Sequence, residues 1–351
     1  MGFLRLCLLV MFMTFICASV IKAEKSRMGD PLIYPNYSPF WPQPEDYSYE
    51  TQYDYPLVLS TDFEFFAKIS FDSDVLDRAM DRYKQLVKPS TDKGEDGEIS
   101  SCLITVSGTE KESSRSSFIL GVDESYSLQV SNETCQIQAV TVWGAMNGME
   151  TFTQIFQKLV DGTVSSVYLY NVNVNDYNRF QHRGILIDTS RHYLPIDEIA
   201  RMVDAAKMSK YNVLHVHLVD AQSFPFNSDS SPEIVKGAYS PSLQYTSDDI
   251  QYISDYAYDR GIRILYEIDV PGHAFSWGKG YPEVLADCVS KYSNVNNIAL
   301  NPTLNKTYDV LYGILKDLSK YSGNSPYIHI GKLLTTFIQV LMCLECKFNS
   351  Y

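Results

Sequence analysis

The stretch GILIDTSRHYLPIDEIARMVDAAKMSKYNVLHVHLVD, residues 184–220, decides the fold of the second half of the chain. Its apolar pattern predicts a strand at Gly184–Asp188, a helix at Ile196–Lys210 and a second strand at Val213–Val219. A strand, a helix and a strand in this order indicate a parallel βαβ unit. Polar residues follow both strands directly, and in folds of this kind the functional side chains gather at the carboxyl ends of the strands.

The same alternation continues further along the chain. A helix predicted at Ser247–Arg260 precedes a strand at Ile262–Ile268. After a long insertion, a helix at Thr307–Tyr321 precedes a strand at Tyr327–Gly331. Residues 182–331 therefore predict four strand–helix units.

The preceding part of the chain, residues 57–177, has a different pattern. β-rich runs such as Cys102–Val106 and Tyr126–Val130 surround two helical patterns, Asp74–Val87 and Ala145–Val160. This mixture predicts an α+β domain. A disulfide between its two cysteines, Cys102 and Cys135, could staple the domain.

The first 56 residues carry no predicted domain. Residues 1–23 resemble a signal peptide, because Arg5 precedes an apolar run that extends to Ile21. An uncleaved membrane anchor is the alternative, since this run is near the shortest length that spans a bilayer. Residues 24–56 are dense in Pro and Tyr and predict an irregular segment without a core of its own.

Composition narrows the class of protein. The 351 residues carry a formal net charge of −13 without a basic stretch, which argues against nucleic acid and anionic membranes as partners.

The cysteines after residue 23 are Cys102, Cys135, Cys288, Cys343 and Cys346. Three glycosylation sequons begin at Asn36, Asn132 and Asn305. Together with the amino-terminal segment, they predict a disulfide-containing glycoprotein of the secretory pathway, either lysosomal or secreted.

Three strand ends carry both charged groups and imidazoles. The clusters are Asp188-Thr-Ser-Arg191-His192, His217-Leu-Val-Asp220 and Glu267-Ile-Asp269-Val-Pro-Gly-His273. Taken singly, Arg191 would more often be a structural ion-pair partner and Asp220 a helix N-cap. Their recurrence at equivalent strand ends favours a common site. The Pro-Gly turn before His273 could return its imidazole toward Asp269.

A metal site is a competing interpretation of the histidines. His215 and His217 share one face of their strand, and with Asp269 or His273 they could hold zinc. Buried, hydrogen-bonded histidines satisfy the same pattern, and no further ligand motif appears. We therefore predict no metal and no cofactor.

Three motifs carry a specific resemblance. They are HRGILIDTSRHYLP from His182, NVLHVHLVDAQSFPF from Asn212 and RGIRILYEIDVPGH from Arg260. In length, order and spacing they resemble the β-N-acetylhexosaminidases of glycoside hydrolase family 20, and the similarity spans Trp41 to Gly331. The resemblance implies an α+β amino-terminal domain followed by a (β/α)8 TIM-type barrel. Residues 182–331 would supply about four of its eight units, an incomplete barrel.

The resemblance also implies a reaction. Enzymes of this family remove terminal N-acetylglucosamine or N-acetylgalactosamine from glycans with retention, and the substrate's acetamido oxygen attacks the anomeric carbon. An Asp stabilises the cyclic oxazolinium ion that this attack forms, and the adjacent Glu protonates the oxygen of the leaving group. By position, Arg191 would bind sugar hydroxyls and Asp220 would contribute to the sugar pocket. Asp269 and His273 would support the acid, with His217 close by. The resemblance also implies a homodimer or a heterodimer for the full-length protein.

The sequence departs from the family's pattern after Gly331. It continues as Lys332-Leu-Leu-Thr-Thr, where the resemblance calls for Gly-Asp-Glu, so the catalytic pair is expected to be absent. Residues 332–351 form a divergent tail, which a frameshift, a retained intron or a mistaken gene model explains better than a helix covering the sheet edge. We expect an inactive, incomplete hexosaminidase. The alternative is a non-catalytic secreted protein that binds aminosugars or a partner subunit.

Overall fold

The computed structural model describes residues 38–50, 58–87, 98–131, 133–158, 164–167, 170–286, 295–323 and 325–331. Several predictions from the sequence fall outside these residues: the signal segment 1–23, Asn36, Asn132, Cys288 and the tail 332–351. None of the helices in the described part of the chain has the length and hydropathy of a membrane span.

The described residues form twelve strands and five α-helices. The strands are β1 (Asp46–Glu50), β2 (Val58–Lys68), β3 (Glu98–Val106), β4 (Tyr126–Ser131), β5 (Thr134–Ala139), β6 (Phe156–Lys158), β7 (Val164–Val167), β8 (Tyr170–Asp176), β9 (Gly184–Asp188), β10 (Val213–Val219), β11 (Arg263–Ile268) and β12 (Ile328–Ile330). The helices are α1 (Asp74–Leu86), α2 (Val142–Phe152), α3 (Ile196–Met208), α4 (Ser247–Tyr258) and α5 (Asn305–Tyr321).

The amino-terminal domain is a six-stranded mixed sheet in the order β1-β8-β4-β5-β3-β2, with α1 and α2 packed against it. A disulfide joins Cys102 on β3 to Cys135 on β5, where the two residues are register partners. Every residue of α2 is buried. This helix can lie directly against the sheet because a Cβ at Gly148 would meet Ile137 Cγ2 at 2.6 Å.

Two predictions for this domain are wrong in detail. The helix predicted at Ala145–Val160 ends at Phe152, because the β-branched and aromatic residues that follow favour a 3₁₀ turn and strand β6. The segment 24–56, expected to be irregular, supplies β1, whose alternating Tyr47 and Tyr49 pack on the core together with the buried Phe40. Alternation with period two is the signature of a half-buried strand.

The second domain is a parallel sheet of four strands in the order β12-β11-β10-β9. The bounds of β9 and β10 are those expected from the sequence. The predicted helices at Ile196–Lys210 and Ser247–Arg260 each end two residues earlier than expected. Four parallel strands in chain order are the arrangement that successive βαβ units produce.

The two faces of this sheet differ in chemistry. One face packs against the helices through apolar side chains such as Val216, Tyr266 and Ile268. On the other face Asp188, His217, Glu267 and His329 stand side by side, because each is the register partner of the next. His215 lies on the same face, two residues before His217. We call these five residues the polar face.

Buried polar groups join the two domains. Lys207 on α3 is almost fully buried, and its Nζ donates to Asn147 Oδ1 on α2 at 2.7 Å. Burial lowers the pKa of Lys207 to about 8. Glu124, just before β4, lies with its Oε2 2.7 Å from Arg183 Nη2, and the same oxygen accepts from Asn212 at 3.0 Å. The carboxylate of Glu124 therefore ties the amino-terminal domain to the beginning of β9 and β10.

Replacing Glu124 with Gln tests this interface. The variant leaves the guanidinium of Arg183, whose side chain is only 17% exposed, without its ionic partner. We expect the free energy of unfolding to fall by roughly 3 kcal/mol, because an unpaired buried charge costs that much. Urea unfolding followed by tryptophan fluorescence measures the change. The exposed Glu110, replaced by Gln, is the control, and equal losses in both variants would contradict the prediction.

Candidate active site

The first element of the site is the turn after β9. Asp188 Oδ1 accepts the backbone N–H groups of Ser190 at 3.1 Å and Arg191 at 3.0 Å. The other oxygen of the same carboxylate lies 2.5 Å from Arg191 Nη1. Asp188 therefore shapes the turn and also fixes the guanidinium, whose side chain remains 39% exposed.

Asp220, at the end of β10, is the centre of the site. Its side chain is fully buried, and its Oδ2 lies 2.8 Å from Arg191 Nη2, 2.7 Å from His217 Nε2 and 2.9 Å from His273 Nδ1. Its Oδ1 accepts the backbone N–H of Ala221 at 2.6 Å. One carboxylate thus gathers three cationic side chains from the ends of three strands.

The loop after β11 returns His273 to the site, as the Pro-Gly turn suggested. His273 adopts a left-handed conformation with φ of 55°, and its Nδ1 lies 3.1 Å from Asp269 Oδ2. Gly331 at the end of β12 is required beside Asp269, because a Cβ there would lie 1.9 Å from Asp269 Oδ1. The close approach places the end of β12 against the site.

The sequence interpretation assigned no site role to Asp188 or Glu267, although both stand in the strand-end clusters. Glu267 Oε2 lies 2.7 Å from His215 Nε2 and 3.0 Å from His217 Nδ1. His217 therefore bridges Glu267 and Asp220 through its two ring nitrogens. The position of Glu267 opposite His217 depends on the register of β10 and β11, which no local pattern specifies.

The electrostatics of these groups follow from their contacts. Burial disfavours the charged form of His217, but hydrogen bonds to Asp220 and Glu267 outweigh it and raise its pKa to about 9. Hydrogen bonds to Asp220 and Asp269 likewise raise the pKa of His273 to about 9. Burial raises the pKa of Asp220, but hydrogen bonds from His217, His273 and Ala221 outweigh it and hold that pKa far below its usual range.

This charge distribution suits binding rather than proton exchange. A general acid or base works best when its pKa lies near the operating pH. Asp220 stays ionised and both imidazoles stay protonated across neutral pH. Arg191 and His273, with side chains 39% and 34% exposed, are the members of the cluster that can offer donors to a ligand.

The predicted histidine pair does not converge on a single ion site. Among the described residues, the ligand atoms that lie together form two groups: His217, Asp220 and Asp269 in one, and His215, Glu267 and His329 in the other. The structure therefore brings together Arg191, Asp220, His217, Asp269 and His273, and it places His215 in a separate cluster. Asn305, the described sequon residue, is exposed at the first turn of α5.

Two protein-family models match this chain, one in each of its two domains. Residues 180–332 match the glycosyl hydrolase family 20 catalytic domain. Residues 40–155 match a domain described as beta-acetyl hexosaminidase like. The two matches follow one another in the order that the motifs implied.

The individual relatives that match this chain are also named beta-hexosaminidases. Beta-hexosaminidase subunit beta of Homo sapiens is 44% identical over 211 residues, which cover 60% of this chain and 37% of that protein. Subunit A1 of Dictyostelium discoideum is 37% identical, covering 72% of this chain and 46% of that protein. Beta-hexosaminidase 3 of Arabidopsis thaliana is 37% identical, covering 83% of this chain and 55% of that protein. The chain thus spans about half the length of these relatives.

Solved structures show the same similarity. The chitobiase of Flavobacterium johnsoniae superposes with a TM-score of 0.70 at 28% identity, covering 89% of this chain and 47% of that chain. The β-N-acetylhexosaminidase of Streptomyces coelicolor has a TM-score of 0.67 at 23% identity and shares the fold, covering 87% of this chain and 63% of that chain.

The pKa values predict a pH dependence of stability. His217 and His273 have pKa values of about 9 in the folded protein, against 6.5 for a free imidazole. Their contribution is complete below pH 6.5 and is lost as the pH rises toward 9. Replacing Asp220 with Asn removes the shared anion, so we expect a flatter dependence in the variant.

Urea unfolding across this pH window measures the slope of the free energy of unfolding. His192→Asn, at an exposed histidine beside Arg191, is the control and should retain the wild-type slope. Equal slopes for the wild type and Asp220→Asn would show that Asp220 does not hold the two imidazoles protonated.

Proposed function

Because the chain belongs to glycosyl hydrolase family 20, we propose that residues 182–331 form half of a β-N-acetylhexosaminidase barrel and retain its sugar-binding side. The observation that carries this proposal is the convergence of Arg191, His217 and His273 on the buried Asp220. The substrates of the complete domain would be glycans ending in N-acetylglucosamine or N-acetylgalactosamine.

Each residue has a distinct proposed role. The guanidinium of Arg191 binds paired sugar hydroxyls, because its donors form a rigid fork and part of its surface is open to a ligand. Asp220 fixes the orientation of that guanidinium. His273, held between Asp220 and Asp269, supports the position where the acid of a complete site would lie.

The groups that would carry the chemistry are not found after Gly331. The sequence there is Lys332-Leu-Leu-Thr-Thr, and Glu345 is the only carboxylate among residues 332–351. A positioned general acid is worth about 10²- to 10⁴-fold in rate, and the partner that stabilises the oxazolinium is missing as well. We therefore propose that these 351 residues do not hydrolyse aminosugar glycosides.

Hydrolysis of 4-nitrophenyl N-acetyl-β-glucosaminide by the purified 351-residue chain tests this proposal. We expect no release of nitrophenol above the buffer rate, because the acid and the stabilising carboxylate are both missing. Turnover by the wild type that Arg191→Ala abolishes would refute inactivity and would place the reaction in this site. Turnover unaffected by that variant would indicate a contaminating enzyme.

The alternative function is a non-catalytic secreted protein that binds aminosugars or a partner subunit. The intact contacts around Arg191 and Asp220 favour it, since they persist without the catalytic pair. Titration with N-acetylglucosamine separates the two interpretations. An incomplete enzyme gives no saturable signal, because half a pocket buries little of the sugar. A binding protein gives a saturable signal that Arg191→Ala weakens.

The compartment and the assembly are also proposals. We place the protein in the secretory pathway, either lysosomal or secreted, because a disulfide joins Cys102 and Cys135 and such bonds persist in oxidising compartments. The names alpha and beta of the subunits that this chain resembles suggest a homodimer or a heterodimer for the complete protein. No cofactor is part of the proposed reaction.

Glycosylation at Asn305 tests the compartment. Asn305 is exposed at the amino-terminal end of α5, so its side chain is open to a glycan in the folded protein. After expression in animal cells, we expect glycosidase treatment to reduce the apparent mass, and Asn305→Gln to remove one glycan from the total. Gln substitution at Asn301, which lies outside any sequon, is the control. A mass unchanged by Asn305→Gln would mean that this sequon is not used.

A further inference from the structure

The polar face holds a second cluster beside the candidate active site. His215, Glu267 and His329 come from three adjacent strands, and one ligand atom from each lies within 4.8 Å of the others. The carboxylate of Glu267 is central, with Oε2 2.7 Å from His215 Nε2 and Oε1 3.4 Å from His329 Nδ1. The two imidazole rings lie 4.9 Å apart between centroids at an angle of 53°.

This cluster is better suited to a cation than the group around Asp220. There, Arg191 Nη2 lies 2.8 Å from the Asp220 oxygen that would have to bind the ion, so a permanent positive charge occupies that position. In the structure's described ion pairs, Glu267 contacts only imidazoles. An imidazole can give up its proton and become a metal ligand, whereas a guanidinium cannot.

The cluster also has an access route and a supporting contact. The side chain of His329 is 45% exposed, that of His215 18% and that of Glu267 9%, so the cluster opens toward His329. His217 Nδ1 lies 3.0 Å from Glu267 Oε2 and orients the carboxylate from the buried side. Outer contacts of this kind fix the ligands of metal sites and raise their affinity.

We propose that His215, Glu267 and His329 bind a divalent transition-metal ion, with Zn²⁺ as the preferred one. Two imidazole nitrogens and one carboxylate form a three-ligand zinc set that leaves the fourth position to water. The ion takes the place of the proton between His215 Nε2 and Glu267 Oε2. His215 then binds as the neutral imidazole with its remaining proton on Nδ1, and only a proton beyond that one passes to the solvent. The expectation of no metal considered His215 together with His217, but the structure divides this pair between two clusters.

Titration of the metal-free 351-residue chain with ZnCl₂ tests the proposal by calorimetry. We expect a saturable site of one equivalent. His329→Ala removes an exposed ligand without opening a cavity, and it should weaken binding by more than about 100-fold, since even outer contacts are worth 10- to 100-fold. His215→Ala provides a second variant, and His192→Ala, at an exposed histidine outside the cluster, should bind as the wild type does.

Cobalt provides an independent readout. Co²⁺ bound with nitrogen and oxygen ligands in a four-coordinate site gives visible absorption bands, and these bands should disappear in His329→Ala. Zinc binding well below one equivalent overturns the proposal. Equal binding by the wild type and His329→Ala also overturns it and would assign the zinc to other groups, such as the cysteines. Circular dichroism checks that each variant is folded.

Discussion

The ionised carboxylate of Asp220 is the constraint on which the functional end of this protein depends. Because it is fully buried, it must find its partners within the protein, and it does so by drawing Arg191, His217 and His273 onto itself. These three side chains come from the ends of three strands, so a single anion aligns three loops. Removing one partner would leave a buried charge incompletely compensated, so we expect the contacts of the cluster to depend on one another.

Buried charged groups are likewise paired within the protein at the interface between the two domains. Glu124 anchors Arg183 and Asn212 at the beginning of the parallel strands, while Lys207 is held by Asn147 from the fully buried α2. Such contacts orient the two domains more than they stabilise the fold. The desolvation of each buried charge costs about as much free energy as its pairing returns. They place the amino-terminal ends of β9 and β10 relative to the first domain, and the strands transmit that position to the site at their other end.

Family membership and activity are separate conclusions for this chain. The contacts of the proposed sugar site are assembled by residues up to Gly331, and this glycine fits closely against Asp269. The chemistry of the family needs two further carboxylates, and the following residues supply neither in that position. The polar face that remains is rich in imidazoles, since His215, His217 and His329 surround Glu267. This composition underlies the zinc-site proposal, whereas the sugar-site proposal rests on the contacts of Asp220.

By itself, the sequence determined the order of strands and helices in residues 182–331, the bounds of β9 and β10 and the five candidate residues from Arg191 to His273. The elements follow from local periodicity, and the five residues follow from polar groups placed directly after apolar runs together with the resemblance to the family. It missed β1, the early end of α2 and the roles of Asp188 and Glu267. The register between β10 and β11 is set by packing across the whole sheet, and no local pattern specifies it. Only the tertiary structure could therefore place Glu267 opposite His217, connect it to Asp220 and divide the His215 and His217 pair between two clusters.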